Sequence, residues 1–168
     1  MSHELLLWLH VLTFALWFGT DLGVFTASLA TTDPKQSVAV RQYAMQLLMK
    51  LDLVPRLAML LVVAIGPLLA AQWLGVAVAT WQWVGWCLLV LAWMVLEAKI
   101  HLATGAPSAV LVNLDTLLRV VLLLGCIVLA MQPQVWSVTP WLSVKLGLLA
   151  TTVACGLGVR FTLAPFIP

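Results

Sequence analysis

Apolar residues run along this chain in five long blocks, not in alternation, and the polar breaks between the blocks are short. Charge, proline and glycine place the blocks near 5–29, 53–75, 81–103, 112–132 and 138–160. Each is close to the roughly 20 residues that carry a helix, at about 1.5 Å per residue, through a hydrocarbon core of about 30 Å. Sustained alternation over about 9–11 residues, the mark of a transmembrane barrel, is absent. The pattern predicts an all-α fold, a polytopic membrane helix bundle of about five transmembrane helices. With no internal repeat and no low-complexity linker, residues 1–168 are expected to form a single integral membrane domain.

One stretch breaks the pattern. In 36–51, Val40, Ala44, Leu47, Leu48 and Leu51 recur at helical spacing against Arg41, Gln42, Gln46 and Lys50. The stripe fits an amphipathic helix on the inner membrane surface, or a helical lead-in to the second span.

Composition sharpens the class. The chain is 64% hydrophobic and 8% charged, against about 25% charged in soluble domains, which excludes a soluble globule. A net charge of +2, dispersed and without a basic stripe interleaved with aromatics, excludes nucleic acid as a partner. The partners to expect are membrane lipids, a second copy, or a membrane partner chain. Cys87, Cys126 and Cys155 all fall inside apolar runs without Cys-x-x-Cys spacing, so neither a disulfide framework nor a zinc site is implied. The first block resembles a signal peptide at Ser28-Leu29-Ala30, but it is too long, contains Asp21, and is preceded by Glu4 without Lys or Arg. Its retention is expected.

The breaks after the second and fourth blocks hold no charge, whereas the break after the first holds Lys35, Arg41 and Lys50. Lys99 and Arg119 flank the third break, and Arg160 follows near the C-terminus. The positive-inside rule then puts the N-terminus outside and the C-terminus in the cytoplasm, in a bacterial inner membrane. Of nine tryptophans, Trp8, Trp73, Trp81, Trp83, Trp86, Trp136 and Trp141 fall at or near outer ends, as an aromatic belt.

Ionisable groups inside spans are costly unless paired or hydrated, so each is a functional candidate. Orientation sorts them into two layers. The inner layer holds Asp21, Asp52 with Arg56, Glu97 with Lys99 and His101, Asp115 with Arg119, and Arg160. Asp52/Arg56, Glu97/His101 and Asp115/Arg119 are each spaced i, i+4, which puts both members on one helix face. The layer reads as a self-neutralising network, or as a proton or anion pathway. The outer layer holds His10 and Lys145, neither with an acidic neighbour in sequence. His10 fits a packing residue or a metal ligand, and Lys145 a snorkelling cation or the partner of an anionic ligand. A bis-histidine site with His101 is excluded, because the two histidines fall at opposite faces. Any metal on His10 would draw on Met131, Cys87, water or a partner chain, a set that suits copper or haem.

As strings, Trp8-Leu9-His10-Val11-Leu12 followed by Leu16-Trp17-Phe18-Gly19, and Trp141-Leu142-Ser143-Val144-Lys145-Leu146 in the last block, resemble small multi-span families. These are the HemJ-type protoporphyrinogen oxidases, the CopD-type copper-resistance membrane proteins, and an uncharacterised integral membrane family of similar size. The resemblance covers about a quarter of the chain. It implies a helical bundle with haem b or a porphyrin-like ligand near His10, and with Lys145 close to it. The chain departs from the HemJ type in Thr20-Asp21-Leu22-Gly23-Val24-Phe25, where that type is more basic and carries proline, and in Ser143, where histidine is common.

The expected function is therefore a membrane protein that binds haem b or a porphyrin-like ligand near the outer face, with His10 as ligand or base, Lys145 as partner of a propionate and Met131 as a possible second ligand. If redox-active, it would leave the chemistry to the cofactor. The alternatives are a copper- or ion-handling, transporter-like protein and a non-catalytic membrane subunit.

Overall fold

The computed structural model describes residues 2–103 and 105–163, with side chains described through Gly158. Among these residues the regular elements are helices: α1 (His3–Thr32), α2 (Val38–Leu51), α3 (Leu53–Trp73), α4 (Thr80–His101), α5 (Ala109–Ala130), α6 (Pro133–Val138) and α7 (Pro140–Leu163). Five helical stretches are long and apolar enough to cross a membrane: α1, the run Val38–Trp73 that joins α2 and α3, α4, α5 and α7. The chain is a helical integral membrane protein.

Local chemistry sets the ends. Ser2 and Ser37 cap α1 and α2 by accepting from the amides of Leu5 and Val40, which relieves backbone donors with no helical partner. At the end of α3, the Gly75 amide donates to the Gln72 carbonyl and the Val76 amide to the Ala71 carbonyl. This Schellman closure requires a left-handed residue at position 75, and Gly75 has φ +66. Pro133 and Pro140 open α6 and α7, where a missing N–H costs nothing. Within α1 the hydroxyls of Thr13, Thr20, Thr26, Ser28, Thr31 and Thr32 donate to carbonyls three or four residues earlier. The hydroxyl groups of this apolar helix are thus satisfied inside the helix, as a lipid environment demands.

The helices fall into two compact units, Met1–Thr104 and Gly105–Pro168. In the first, α1 packs along α2 and α3 over its whole length. Arg41 Nε donates to the Thr31 carbonyl, Gly23 faces Leu51, Gly66 faces His10, and His3 Nδ1 meets Gln72 Oε1 at 2.7 Å. The pairing is antiparallel and in register from end to end. Only Asp52 separates α2 from α3, and its backbone remains helical at φ −58, ψ −27. The 36-residue run Val38–Trp73 thus spans about 54 Å at 1.5 Å per residue, well beyond a hydrocarbon core of about 30 Å. α2 leads directly into α3 and lies along α1, with Ala44 of its stripe buried, Leu48 and Leu51 half-buried, and Val40 and Leu47 exposed. In this unit α3 is the most buried helix, through Ala58, Met59, Leu60, Val62, Val63 and Leu69, and α4 also packs on it.

In the second unit α5 packs along α7, with the short α6 against both. Thr139, Ser143, Ala150, Val153 and Leu157 form a buried seam, spaced by three, four or seven residues as one face of a helix requires. An open apolar groove of ≈ 320 Å³ lies between the two long helices, lined by Leu123, Ile127, Met131, Gly147 and Ala150 among others.

Candidate functional site

The first unit brings charged groups from two helices together. Asp52 stands at the joint of α2 and α3, and Arg56 follows one turn later on the same face, with a guanidinium nitrogen 2.6 Å from Asp52 Oδ2. Because α4 packs on α3, Glu97, one turn before the end of α4, also reaches Arg56, whose other terminal nitrogen is 3.7 Å from Glu97 Oε2. Glu97 is only 1% exposed, whereas Asp52 and Arg56 are partly open. Two carboxylates, one at the α2–α3 joint and one on α4, therefore share one guanidinium. Asp21 is exposed on α1. Lys50 and Lys99 are exposed, and among the described residues neither makes an ion pair.

The sequence spacing pairs Glu97 with His101, but in the structure Glu97 is met across helices by Arg56, and among the described residues His101 makes no ion pair. The i, i+4 rule sees one helix at a time, so it misses a partner supplied by packing. The second unit holds a different arrangement. Arg119 Nε lies 3.0 Å from Asp115 Oδ2, and Asp115 is 0% exposed. The side chain of Arg160 lies outside the described residues.

His10 belongs to the first unit, and Lys145 and Met131 to the second. The imidazole is half-buried between α1 and α3, with Cε1 3.5 Å from where a Cβ on Gly66 would stand. Lys145 is exposed, and its Nζ lies 4.9 Å from the ring centroid of Trp141, one turn nearer the start of α7. That is the posture of a cation drawn back along its helix toward the headgroups and resting on an aromatic face. Met131, 72% exposed, closes one end of the α5–α7 groove, and Lys145 does not line that groove. Cys87, the other soft candidate, is half-buried on α4. A haem would need a flat apolar slot beside its ligand. Neither the groove nor a smaller cavity of ≈ 160 Å³ lined by Pro67, Trp83 and Trp86 includes His10. Among the described residues no group of three or more His, Cys, Asp or Glu side chains is placed to hold a metal ion.

Trp86 has a use that the aromatic belt does not describe: it donates its indole N–H to the Val63 carbonyl at 3.2 Å. Two signals in the chain point to it. Pro67 lies inside an apolar span and frees the carbonyl four residues earlier, and a tryptophan stands more than a turn inside the next span. No protein-family model matches the chain, and no curated protein or solved structure shows significant similarity to it.

Proposed function

We propose that the protein handles protons in a bacterial inner membrane, with Glu97 as the group that binds and releases them and Arg56 as the charge that governs it. One observation carries this reading: Glu97 is almost completely buried, and the guanidinium it meets, Arg56, is shared with Asp52. In the Arg56 cluster two carboxylates share one guanidinium and one of them is almost fully buried, and in a low-dielectric interior a buried carboxylate is a group that gains from taking up a proton. The Lys and Arg asymmetry of the connections supports an external N-terminus and a cytoplasmic C-terminus, which puts this cluster toward the cytoplasmic side.

The test is flux. Purified protein in liposomes holding a pH-sensitive dye is driven by a potassium-diffusion potential, and wild type is expected to move protons faster than empty vesicles. Glu97→Gln is expected to lose at least about tenfold of that rate, while Lys145→Met, outside the cluster, keeps it. Wild-type flux equal to empty vesicles, or full flux in Glu97→Gln, refutes the proposal. Reporter fusions near Gln134 and after Arg160 test the orientation, external for the first and cytoplasmic for the second.

A second reading retains His10 as the ligand of haem b, a porphyrin or copper. What supports it is the Trp8-Leu9-His10 motif together with the imidazole's place inside the α1–α3 pair, beside the Pro67 break. Visible spectra and metal assay of folded wild type and His10→Ala decide it: a cofactor retained at wild-type content in the variant removes His10 from the site.

A further inference from the structure

Proline at position 67 interrupts α3 within its apolar run. Proline has no N–H, so the carbonyl of Val63, four residues earlier, loses the donor that a regular helix supplies. Val63 is 5% exposed, and in a membrane interior an unsatisfied carbonyl is expensive because water does not replace the missing donor. The replacement comes from the neighbouring helix, as the Trp86 indole of α4 donates to this carbonyl. Indole offers one donor and no acceptor, so the match is one to one.

We infer that Trp86 supplies the donor that Pro67 withholds, and that this cross-helix clasp fixes the register of α4 on α3 and thereby holds Glu97 against Arg56. The inference rests on the proposed proton site and makes Trp86 a positioning residue for it. Along α4, Trp86 precedes Glu97 by three turns, or about 16 Å, and along α3, Val63 follows Arg56 by two turns, or about 10 Å. The clasp and the ion pair are polar contacts at two heights of one helix pair. Between them α4 buries Val90, Trp93 and Leu96. Apolar surfaces such as these stabilise contact without specifying position along the axis, because dispersion is not directional. A hydrogen bond to one particular carbonyl does specify it.

A double-mutant cycle tests the clasp, with stability read by reversible unfolding in mixed micelles. Trp86→Phe is expected to lower the folded-to-unfolded ratio about tenfold, because it strands a buried acceptor. In a Pro67→Ala background the same substitution is expected to cost less than about twofold, because the restored backbone N–H serves Val63. Equal costs in the two backgrounds overturn the assignment of Trp86 as replacement donor. Positioning is read separately, from the infrared carboxyl band of Glu97, assigned by its loss in Glu97→Gln. In Trp86→Phe/Pro67→Ala, which keeps its stability, this band is expected to move to where Arg56→Gln places it. A wild-type band in that variant shows a clasp that stabilises without positioning, and overturns the second half of the inference. Neither readout uses flux. A wild type that moves no protons therefore sinks the proposed function, while the role of Trp86 stands or falls on the unfolding cycle and the infrared band.

Discussion

Removing Arg119 isolates the energetics of the buried pair in the second unit. Arg119→Met keeps most of the side-chain volume and leaves the Asp115 carboxylate, 0% exposed, without the guanidinium 3.0 Å away. At an effective dielectric constant of about 20, two unit charges at that distance attract by about 5 kcal/mol. Part of that is already offset by desolvation of both groups, and breaking one side of such a pair typically costs about 3–5 kcal/mol. Asp115 can limit the damage by taking up a proton, so a loss of about 3 kcal/mol is expected, roughly a hundredfold in the folded-to-unfolded ratio. Reversible unfolding in mixed micelles followed by circular dichroism measures it. The companion experiment, Asp115→Leu with Arg119→Met, replaces both charges by apolar groups and is expected to return stability to within about 1 kcal/mol of wild type, or above it. A single variant within about 0.5 kcal/mol of wild type, or a double variant that costs the sum of the singles, refutes the view of a self-compensating pair.

Three further substitutions probe smaller features, each read as unfolding free energy in the same micelles. Gly66→Ala places its Cβ 3.5 Å from His10 Cε1, an ordinary contact, so it is expected to gain up to about 1 kcal/mol of helix propensity, whereas Gly66→Leu drives the imidazole out and destabilises. Ser143→Ala removes a buried hydroxyl that makes no hydrogen bond among the described residues, and is expected to be neutral or stabilising by about 1 kcal/mol; a clear loss would reveal a partner for that oxygen. Lys145→Met, at an exposed cation resting on Trp141, is expected to change stability by less than about 1 kcal/mol, and a larger loss would mean that Lys145 is buried in the folded protein.

Helical class and five membrane-length helices were readable because an apolar run near 20 residues has one economical use, a hydrogen-bonded helix in lipid. The Asp52–Arg56 and Asp115–Arg119 pairs were readable for a similar reason, since both members sit on one helix and the period alone brings them together. What joins different helices was not readable. The stripe through Val40, Ala44 and Leu51 suits a lipid surface and a neighbouring helix equally, because both are apolar, and it took the packing of α2 along α1 to show that Ala44 is buried while Val40 stays exposed. Arg56 meets Glu97 across forty-one positions of sequence through the packing of α4 on α3. Trp86 looked like one more interfacial aromatic, because its role depends on a carbonyl released by a proline in another helix. The outer-layer candidates were singled out one at a time by their cost in lipid, and cost says nothing about direction: Lys145 turns toward Trp141, while His10 turns toward Gly66.

The end-to-end pairing of α1 with α2 and α3 limits how this sequence can change length. A helix turns about 100° per residue, so a single residue inserted after Thr13 would rotate everything before it by more than a quarter turn. His10 would leave Gly66 and His3 would leave Gln72, while Gly23 stayed on Leu51. No substitution at one site restores both lost contacts, because they lie at different heights and are lost by the same rotation. Insertions and deletions in this hairpin should therefore survive in the 33–37 turn, beyond the paired stretch, or as coordinated changes at matching heights in both arms.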